Sequence, residues 1–180
     1  MGGVQKGLQL LRGRPLIEWV IERLRGQVDE LMISANVEVE AYRRYGVPVI
    51  QDALKEADGS LAGPLAGLQA GLMACSNPLV VTAPCDVPFL PADLVQRLYR
   101  EMSRARADVA FPEVDGRAQP VFVLVRREVL PQLTHYLSQS GRRADGWYEP
   151  LRSVPVPFDD PAAFANVNTR DDLGVLDGGA

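Results

Sequence analysis

Residues 79–83, Leu-Val-Val-Thr-Ala, form the apolar run that decides the fold, and the segment Pro84-Cys85-Asp86-Val87-Pro88 follows it directly. The run shows no alternation of apolar and polar residues, which is typical of a parallel strand covered on both faces. Sheets of this kind bind ligands beyond the carboxyl ends of their strands. Asp86 stands at such an end, between two prolines that restrict the backbone. It is therefore a candidate ligand-binding carboxylate, although an aspartate that only caps a helix or a turn has the same pattern.

Apolar patterns of strand length and of helix length alternate along the rest of the chain. Strands are predicted at 31–36, 47–50, 109–111, 121–125 and 154–158, and helices at 16–24, 37–45, 64–72, 91–102 and 129–137. This alternation predicts βαβ units and a three-layer, doubly wound α/β fold with a mainly parallel sheet. The 180 residues contain no linker-like break and no internal repeat, which predicts one domain over 1–180.

Composition narrows the possible functions. The formal net charge of −4 provides no global basic field for a nucleic-acid backbone, so we expect no nucleic-acid partner. No apolar run approaches the roughly 18 residues of a membrane helix, and charges interrupt the amino-terminal segment where a signal peptide needs an apolar core. We therefore expect no membrane association and a cytoplasmic protein. Two cysteines and one histidine exclude a disulfide scaffold and a zinc site built only from these residues.

Several other segments carry candidate ligand-binding groups. Asp52 ends the strand at 47–50 and could accept hydrogen bonds from a base or ribose, or only cap a turn. The segment Gly63-Pro64-Leu65-Ala66-Gly67 joins a loop to a helix, where small residues and free N–H groups admit a ligand, although an ordinary helix start has the same pattern. Lys6 follows two glycines and could reach phosphates, but the glycine spacing differs from the Walker A motif.

The polar residues near the carboxyl end allow two interpretations each. The amides of Asn166 and Asn168 could clamp a polar ligand or a metal-bound water, or they could belong to a turn and a helix cap. Arg142 and Arg143 could meet a phosphate, or they could be an ordinary solvated pair. The abundance of Asp, Glu and Arg favours phosphate and magnesium chemistry over thiol or imidazole chemistry.

Read in order, six segments resemble the molybdenum cofactor guanylyltransferase family. They are MGGVQKGL at 1–8, RGRPLIEWV at 12–20, ISAN at 33–36, GPLAG at 63–67, PCDVPFLP at 84–91 and NVNT at 166–169. The resemblance implies an enzyme with a nucleotide-binding α/β sheet of the nucleotidyltransferase type. Such enzymes transfer GMP from GTP to the phosphate of molybdopterin, the organic part of the molybdenum cofactor. The products are the guanine dinucleotide cofactor and pyrophosphate.

The resemblance also implies roles for individual residues. Lys6 would hold the triphosphate, and Asp86 would bind Mg²⁺, with Mn²⁺ as a possible substitute. The remaining GTP-binding positions would be Ser34, Asn36, Asp52, Gly63, Pro64 and Leu65, where Ser34 replaces an asparagine of the family. Asn166, Asn168 and Arg142 or Arg143 would face the pterin. Molybdoenzymes that accept the cofactor, or their chaperones, would be protein partners.

The amino end departs from the family pattern. Family members begin with a strand and a Leu-Ala-Gly-Gly loop, whereas this sequence starts at Met1, inside that motif. We therefore expect a sheet that lacks its first central strand, with Met1 as an internal methionine or the gap filled by a partner or a swapped element. Three alternative functions stay open: a nucleotidyltransferase for CTP or sugar phosphates, a binding homologue without catalysis, and a structural domain.

Overall fold

A computed structural model of the protein describes residues 5–52 and 63–167. The strands are β1 (Leu10–Leu11), β2 (Arg14–Pro15), β3 (Ile33–Ser34), β4 (Val49–Ile50), β5 (Leu79–Thr82), β6 (Val109–Val114), β7 (Arg117–Ala118), β8 (Val123–Arg126) and β9 (Ser153–Phe158). The α-helices are α1 (Leu16–Arg25), α2 (Val39–Arg43), α3 (Pro64–Ala74), α4 (Leu94–Ala105), α5 (Leu130–Ser138) and α6 (Ala144–Tyr148). Short 3₁₀ turns cover Lys6–Leu8, Arg127–Val129 and Pro161–Phe164.

Helix α4 shows why the apolar spacing forms a helix and where that prediction misplaced its start. Leu94, Leu98 and Met102 recur at four-residue steps and are all fully buried against the sheet. The prediction began this helix at Pro91, but the helix begins at Leu94. The amide of Leu94 bonds the carbonyl of Pro91 in a turn, and the Val95 amide is capped by the Gln27 side chain. The Gln27 cap comes from 68 positions away in the sequence, so the local pattern does not contain it.

The main sheet has five strands in the order β5-β8-β6-β7, with β9 paired to β6. β8 is antiparallel to both β5 and β6, and β9 is parallel to β6. It follows that β5, β6 and β9 point the same way and that β8 alone of the longer strands is reversed. The predicted α/β fold and its mainly parallel sheet are confirmed, with β8 as an inserted antiparallel strand.

A tight hairpin explains part of this mixed topology. β6 turns directly into β7 through Asp115 and Gly116, which both have positive φ, at 49° and 71°. Asp-Gly with positive φ at both positions is the signature of a two-residue hairpin turn. The sequence analysis ended this strand at 111, but the structure extends it to Val114 because pairing with β7 and β9 continues to that residue.

Both faces of the main sheet are covered, as a three-layer fold requires. Val109, Phe111, Val123 and Val125 pack on one face against α3, α5 and α6. Ala110 and Leu124, which alternate with them along the same strands, pack on the other face with α4. The period-2 alternation of strand side chains thus places one core on each side of the sheet.

Strands β3 and β4 form a separate parallel pair, divided from β5 by a cavity of about 960 Å³. Its lining includes both strand groups, with apolar residues from α1 and α3. All four residues of β5 are only half-buried, although its apolar run predicted a strand covered on both faces. Within the described residues β5 pairs only with β8, so its other edge faces the cavity. The sequence analysis expected the sheet to lack its first central strand. That expectation concerns this edge of β5, and it stays a prediction.

Within residues 5–52 and 63–167, none of the helices has the length and apolar character needed to cross a bilayer.

We predict that Leu98→Ala lowers the free energy of unfolding by about 2–5 kcal/mol, because it leaves a cavity at a fully buried position of α4. Urea unfolding followed by circular dichroism measures this change. Arg100→Ala, on the exposed face of the same helix, is the matched control and should leave the unfolding midpoint nearly unchanged. Equal effects of the two substitutions would contradict the packing of α4.

Candidate functional site

The segment after β5 buries the candidate carboxylate. Asp86 is 5% exposed and lies in a turn between Pro84 and Pro88. One of its carboxylate oxygens lies 3.5 Å from Nζ of Lys6, whose side chain is 54% exposed. The main-chain carbonyl of Asp86 accepts a hydrogen bond from the Val167 amide at 2.9 Å. An unpaired buried carboxylate is strongly destabilising, and Lys6 provides a compensating charge from a distant part of the chain.

A second polar group lies at the carboxyl ends of β3 and β4. Asp52 accepts hydrogen bonds from Ser34 Oγ at 3.1 Å and from Asn36 Nδ2 at 2.9 Å, one on each carboxylate oxygen. Its main-chain N–H donates to Asn36 Oδ1 at 2.8 Å. These three bonds fix the orientation of the carboxylate while its remaining lone pairs stay able to accept. Parallel pairing of β3 with β4 is what brings residues 16 and 18 positions apart together.

The start of α3 approaches this group closely. Gly63 precedes the helix with a φ of +81°, a conformation that glycine adopts without strain, and Pro64 occupies the first helical position. A Cβ atom at Gly67 would lie 3.1 Å from Ser34 Oγ, so glycine permits the approach of the helix to the strand pair. The cavity beside β5 is lined by Gly63, Pro64 and Leu65 together with the Asp52 group.

Two weakly acidic side chains lie beside the Lys6 turn. Burial raises the pKa of Tyr42 to about 12. Burial, and then the negative charge of Asp86, raise the pKa of the Cys85 thiol above its usual value. Both groups are therefore protonated at neutral pH. Sequence reasoning missed Tyr42, which in the sequence is one more residue of a helical pattern.

The remaining predicted residues are placed differently. Asn166 is exposed and adjoins Val167, so it lies next to the Asp86 turn, whereas Asn168 lies outside the described residues. Arg142 donates to the carbonyls of Leu137 and Gly141, near the carboxyl end of α5. Arg143 forms an ion pair with Asp145 that lowers the pKa of that carboxyl to about 2.

The described residues favour one kind of metal site. They contain no cluster of three or more His, Cys, Asp or Glu side chains that could hold a metal ion. Asp86 is a single buried carboxylate with a cationic neighbour. Mg²⁺ typically takes one or two protein carboxylates and fills its other positions with water and substrate phosphate. The donor set thus fits a magnesium ion that arrives with a phosphorylated substrate, and it does not fit structural zinc.

Known relatives match almost the whole chain. A family model described as the MobA-like NTP transferase domain matches residues 1–153. A protein of Cupriavidus metallidurans named molybdenum cofactor guanylyltransferase is 47% identical over 178 residues, which cover 96% of this chain and 86% of the relative. A protein of the same name from Polynucleobacter asymbioticus is 42% identical over 181 residues, covering 98% of this chain and 89% of the relative.

Solved structures share the fold. The molybdopterin-guanine dinucleotide biosynthesis protein A of Archaeoglobus fulgidus superposes with a TM-score of 0.78 at 27% identity, covering 97% of this chain and 90% of that chain. A 2-C-methyl-D-erythritol 4-phosphate cytidylyltransferase of Thermus thermophilus has a TM-score of 0.71 at 17% identity, covering 96% and 92%. The second likeness shows the fold alone.

We predict that Cys85 reacts slowly with iodoacetamide at neutral pH, because its raised pKa keeps the thiol protonated. The measurement is the alkylation rate against pH in a Cys75→Ala background, which leaves one thiol. The rate should reach its midpoint above about pH 8.5, the ordinary value for a free thiol. In urea the midpoint should return to that value; a native midpoint at or below it would contradict the buried placement.

Proposed function

Because this chain belongs to the MobA-like NTP transferase family, we infer that it transfers GMP from GTP to molybdopterin, giving the guanine dinucleotide cofactor and pyrophosphate. The observation that carries this proposal is the match of curated molybdenum cofactor guanylyltransferases over 96% of the chain and more. The site geometry supports it, because Asp52 follows β4 and Asp86, which pairs with Lys6, follows β5 of a nucleotidyltransferase-like fold.

The Asp52 group is the proposed base and ribose side of the pocket. Asp52, held by Ser34 and Asn36, presents a fixed carboxylate that accepts hydrogen bonds from nucleotide N–H or O–H donors. Ser34 keeps a hydrogen-bonding group at a position where the family has asparagine. Gly63, Pro64 and Leu65 line the adjoining cavity with small and apolar surface that suits a purine ring.

Lys6 and Asp86 form the proposed phosphate side. Asp86 would hold Mg²⁺, or Mn²⁺ in its place, and the bound ion would supply charge neutralisation on the phosphates. Lys6 would leave its contact with the carboxylate and neutralise the charge that develops on the leaving pyrophosphate. The two residues thus divide the work: one anchors the ion, and the other stabilises the leaving group.

The reaction needs no general base. An oxygen of the acceptor's phosphate is already ionised and attacks the α-phosphorus of GTP, and the bond from that phosphorus to the bridging oxygen breaks as pyrophosphate leaves. Positioning and charge stabilisation then carry most of the catalysis, as in other phosphoryl transfers. This fits a chain whose single histidine, His135, lies on α5.

The pterin side is proposed to include Asn166, Asn168 and Arg142. Asn166 adjoins Val167, whose amide binds the Asp86 carbonyl, and this supports a role for Asn166 next to the proposed phosphate side. Arg142 would need to release the carbonyls at the end of α5 in order to bind the pterin. Transfer of the product to cofactor-accepting molybdoenzymes or their chaperones is part of the same proposal.

We predict that Asp86→Ala lowers kcat by about a hundredfold or more, because the phosphates lose their ion-binding carboxylate. Turnover is measured as pyrophosphate release from GTP in the presence of molybdopterin. Asp93→Ala, at an exposed aspartate that makes no side-chain cap, is the matched control and should keep normal turnover. Near-normal turnover of Asp86→Ala with an intact circular dichroism spectrum would refute the role of Asp86.

Nucleotide selectivity gives an independent test. In calorimetric titrations we expect Mg·GTP to bind at least tenfold more tightly than Mg·CTP, because guanine and cytosine present different donors to the fixed Asp52 carboxylate. Asp52→Asn should reduce this preference, since one acceptor oxygen becomes a donor group. A preference for Mg·CTP would instead support a cytidylyltransferase, the activity named for the Thermus structure.

A further inference from the structure

Gly7 occupies the most crowded position of the Lys6 turn. It is buried, and a Cβ atom at this residue would lie 3.0 Å from Cys85 Sγ and 3.0 Å from the hydroxyl oxygen of Tyr42. The same Cβ would lie 3.1 Å from Cβ of Cys85. Its φ is not positive, so glycine is required here by space and not by backbone conformation.

The two neighbours of Gly7 connect it to the two halves of the site. Cys85 directly precedes Asp86, and both its Sγ and its Cβ lie against the open face of Gly7. Tyr42 belongs to α2, which follows β3, and it packs with Ile33 and Ala35 beside the strand pair that carries the Asp52 group. Three segments that are far apart in sequence therefore meet at one small residue.

Both neighbours are held firmly on their other sides. Tyr42 is 4% exposed within a cluster of buried apolar residues, and Cys85 packs on the same cluster. Cys85 also lies between Pro84 and Asp86, in a segment with little backbone freedom. A side chain at position 7 would therefore displace the Lys6 turn more readily than it would displace its support.

We propose that Tyr42 and Cys85 are positioning residues that set the place of Lys6 relative to Asp86 and to the Asp52 group, through their contact with Gly7. The proposal rests on the proposed function, in which Lys6 stabilises the leaving pyrophosphate. The support acts on the main chain, since Lys6 and Gly7 share a single 3₁₀ turn. Displacement of a catalytic group by about 1 Å can cost about a hundredfold in rate.

Gly7→Ala should lower kcat at least tenfold, because Lys6 moves while its side chain stays intact. The affinity for Mg·pyrophosphate, measured by calorimetry, should fall by a similar factor. Mn²⁺ binding, measured by electron paramagnetic resonance, should change less than threefold, because Asp86 is retained. Gly26→Ala is the matched control: a Cβ at Gly26 meets nothing within 4 Å, and this variant should keep normal turnover.

Rescue separates positioning from general damage. Cys85→Ala and Tyr42→Phe each remove one of the two atoms 3.0 Å from the added Cβ. Combined with Gly7→Ala, the two substitutions should restore at least half of the lost kcat on a logarithmic scale. In the parent protein, which keeps Gly7, the same two substitutions should lower kcat a few-fold, because they remove contacts that hold the Lys6 turn. This second comparison tests the inference even where Gly7→Ala alone fails to fold.

The inference is overturned by an active parent protein in which Gly7→Ala keeps kcat within twofold. It is equally overturned if a folded Gly7→Ala protein loses activity and the rescue substitutions restore none of it. An inactive parent protein contradicts the proposed function instead. The Mg·pyrophosphate titration then still decides the positioning, because it needs no turnover: an unchanged affinity in Gly7→Ala overturns the inference.

Discussion

The burial of the Asp86 carboxylate is the constraint on which the site depends. A carboxylate at 5% exposure must be paired or solvated by a ligand, since an unpaired buried charge is strongly destabilising. The pairing with Lys6 draws the amino-terminal turn onto the end of β5, and the bond from Val167 to the Asp86 carbonyl draws the last described residues to the same point. Both ends of the described chain are thereby tied to one turn.

The polar groups of the site come from segments that are far apart in the sequence but lie close to one another in the fold. The Asp52 group follows β3 and β4, and Asp86 follows β5. The cavity lies between these strands, with α1 and α3 supplying apolar walls. The Asp52 group lines this cavity, and the lining reaches Pro84 and Cys85, next to Asp86. Polar groups at the strand ends beside apolar walls are the usual composition of a ligand pocket.

Particular residues show how far sequence reasoning reached. The prediction placed Asp86 and Asp52 at strand ends because apolar runs and their boundaries are local features. The consecutive residues Asp115 and Gly116 are a local hairpin signal too, and they mark the turn between β6 and β7. By contrast, no local pattern marks the contact of Gly7 with Tyr42 and Cys85, because the residues are 35 and more positions apart and meet only after folding.

The α/β class, the alternation of most helices and strands and the choice of candidate site residues followed from the sequence alone, because periodicity, turn chemistry and the family resemblance are features of short segments. The short strands β1, β2 and β7 and the helix α6 were missed. The antiparallel direction of β8 between β5 and β6, the separation of β3 and β4 from the main sheet and the binding of carbonyls by Arg142 at the end of α5 became visible only in the folded molecule. Strand direction and side-chain partners depend on which distant segments pack together, and that choice is made by the burial of the whole chain.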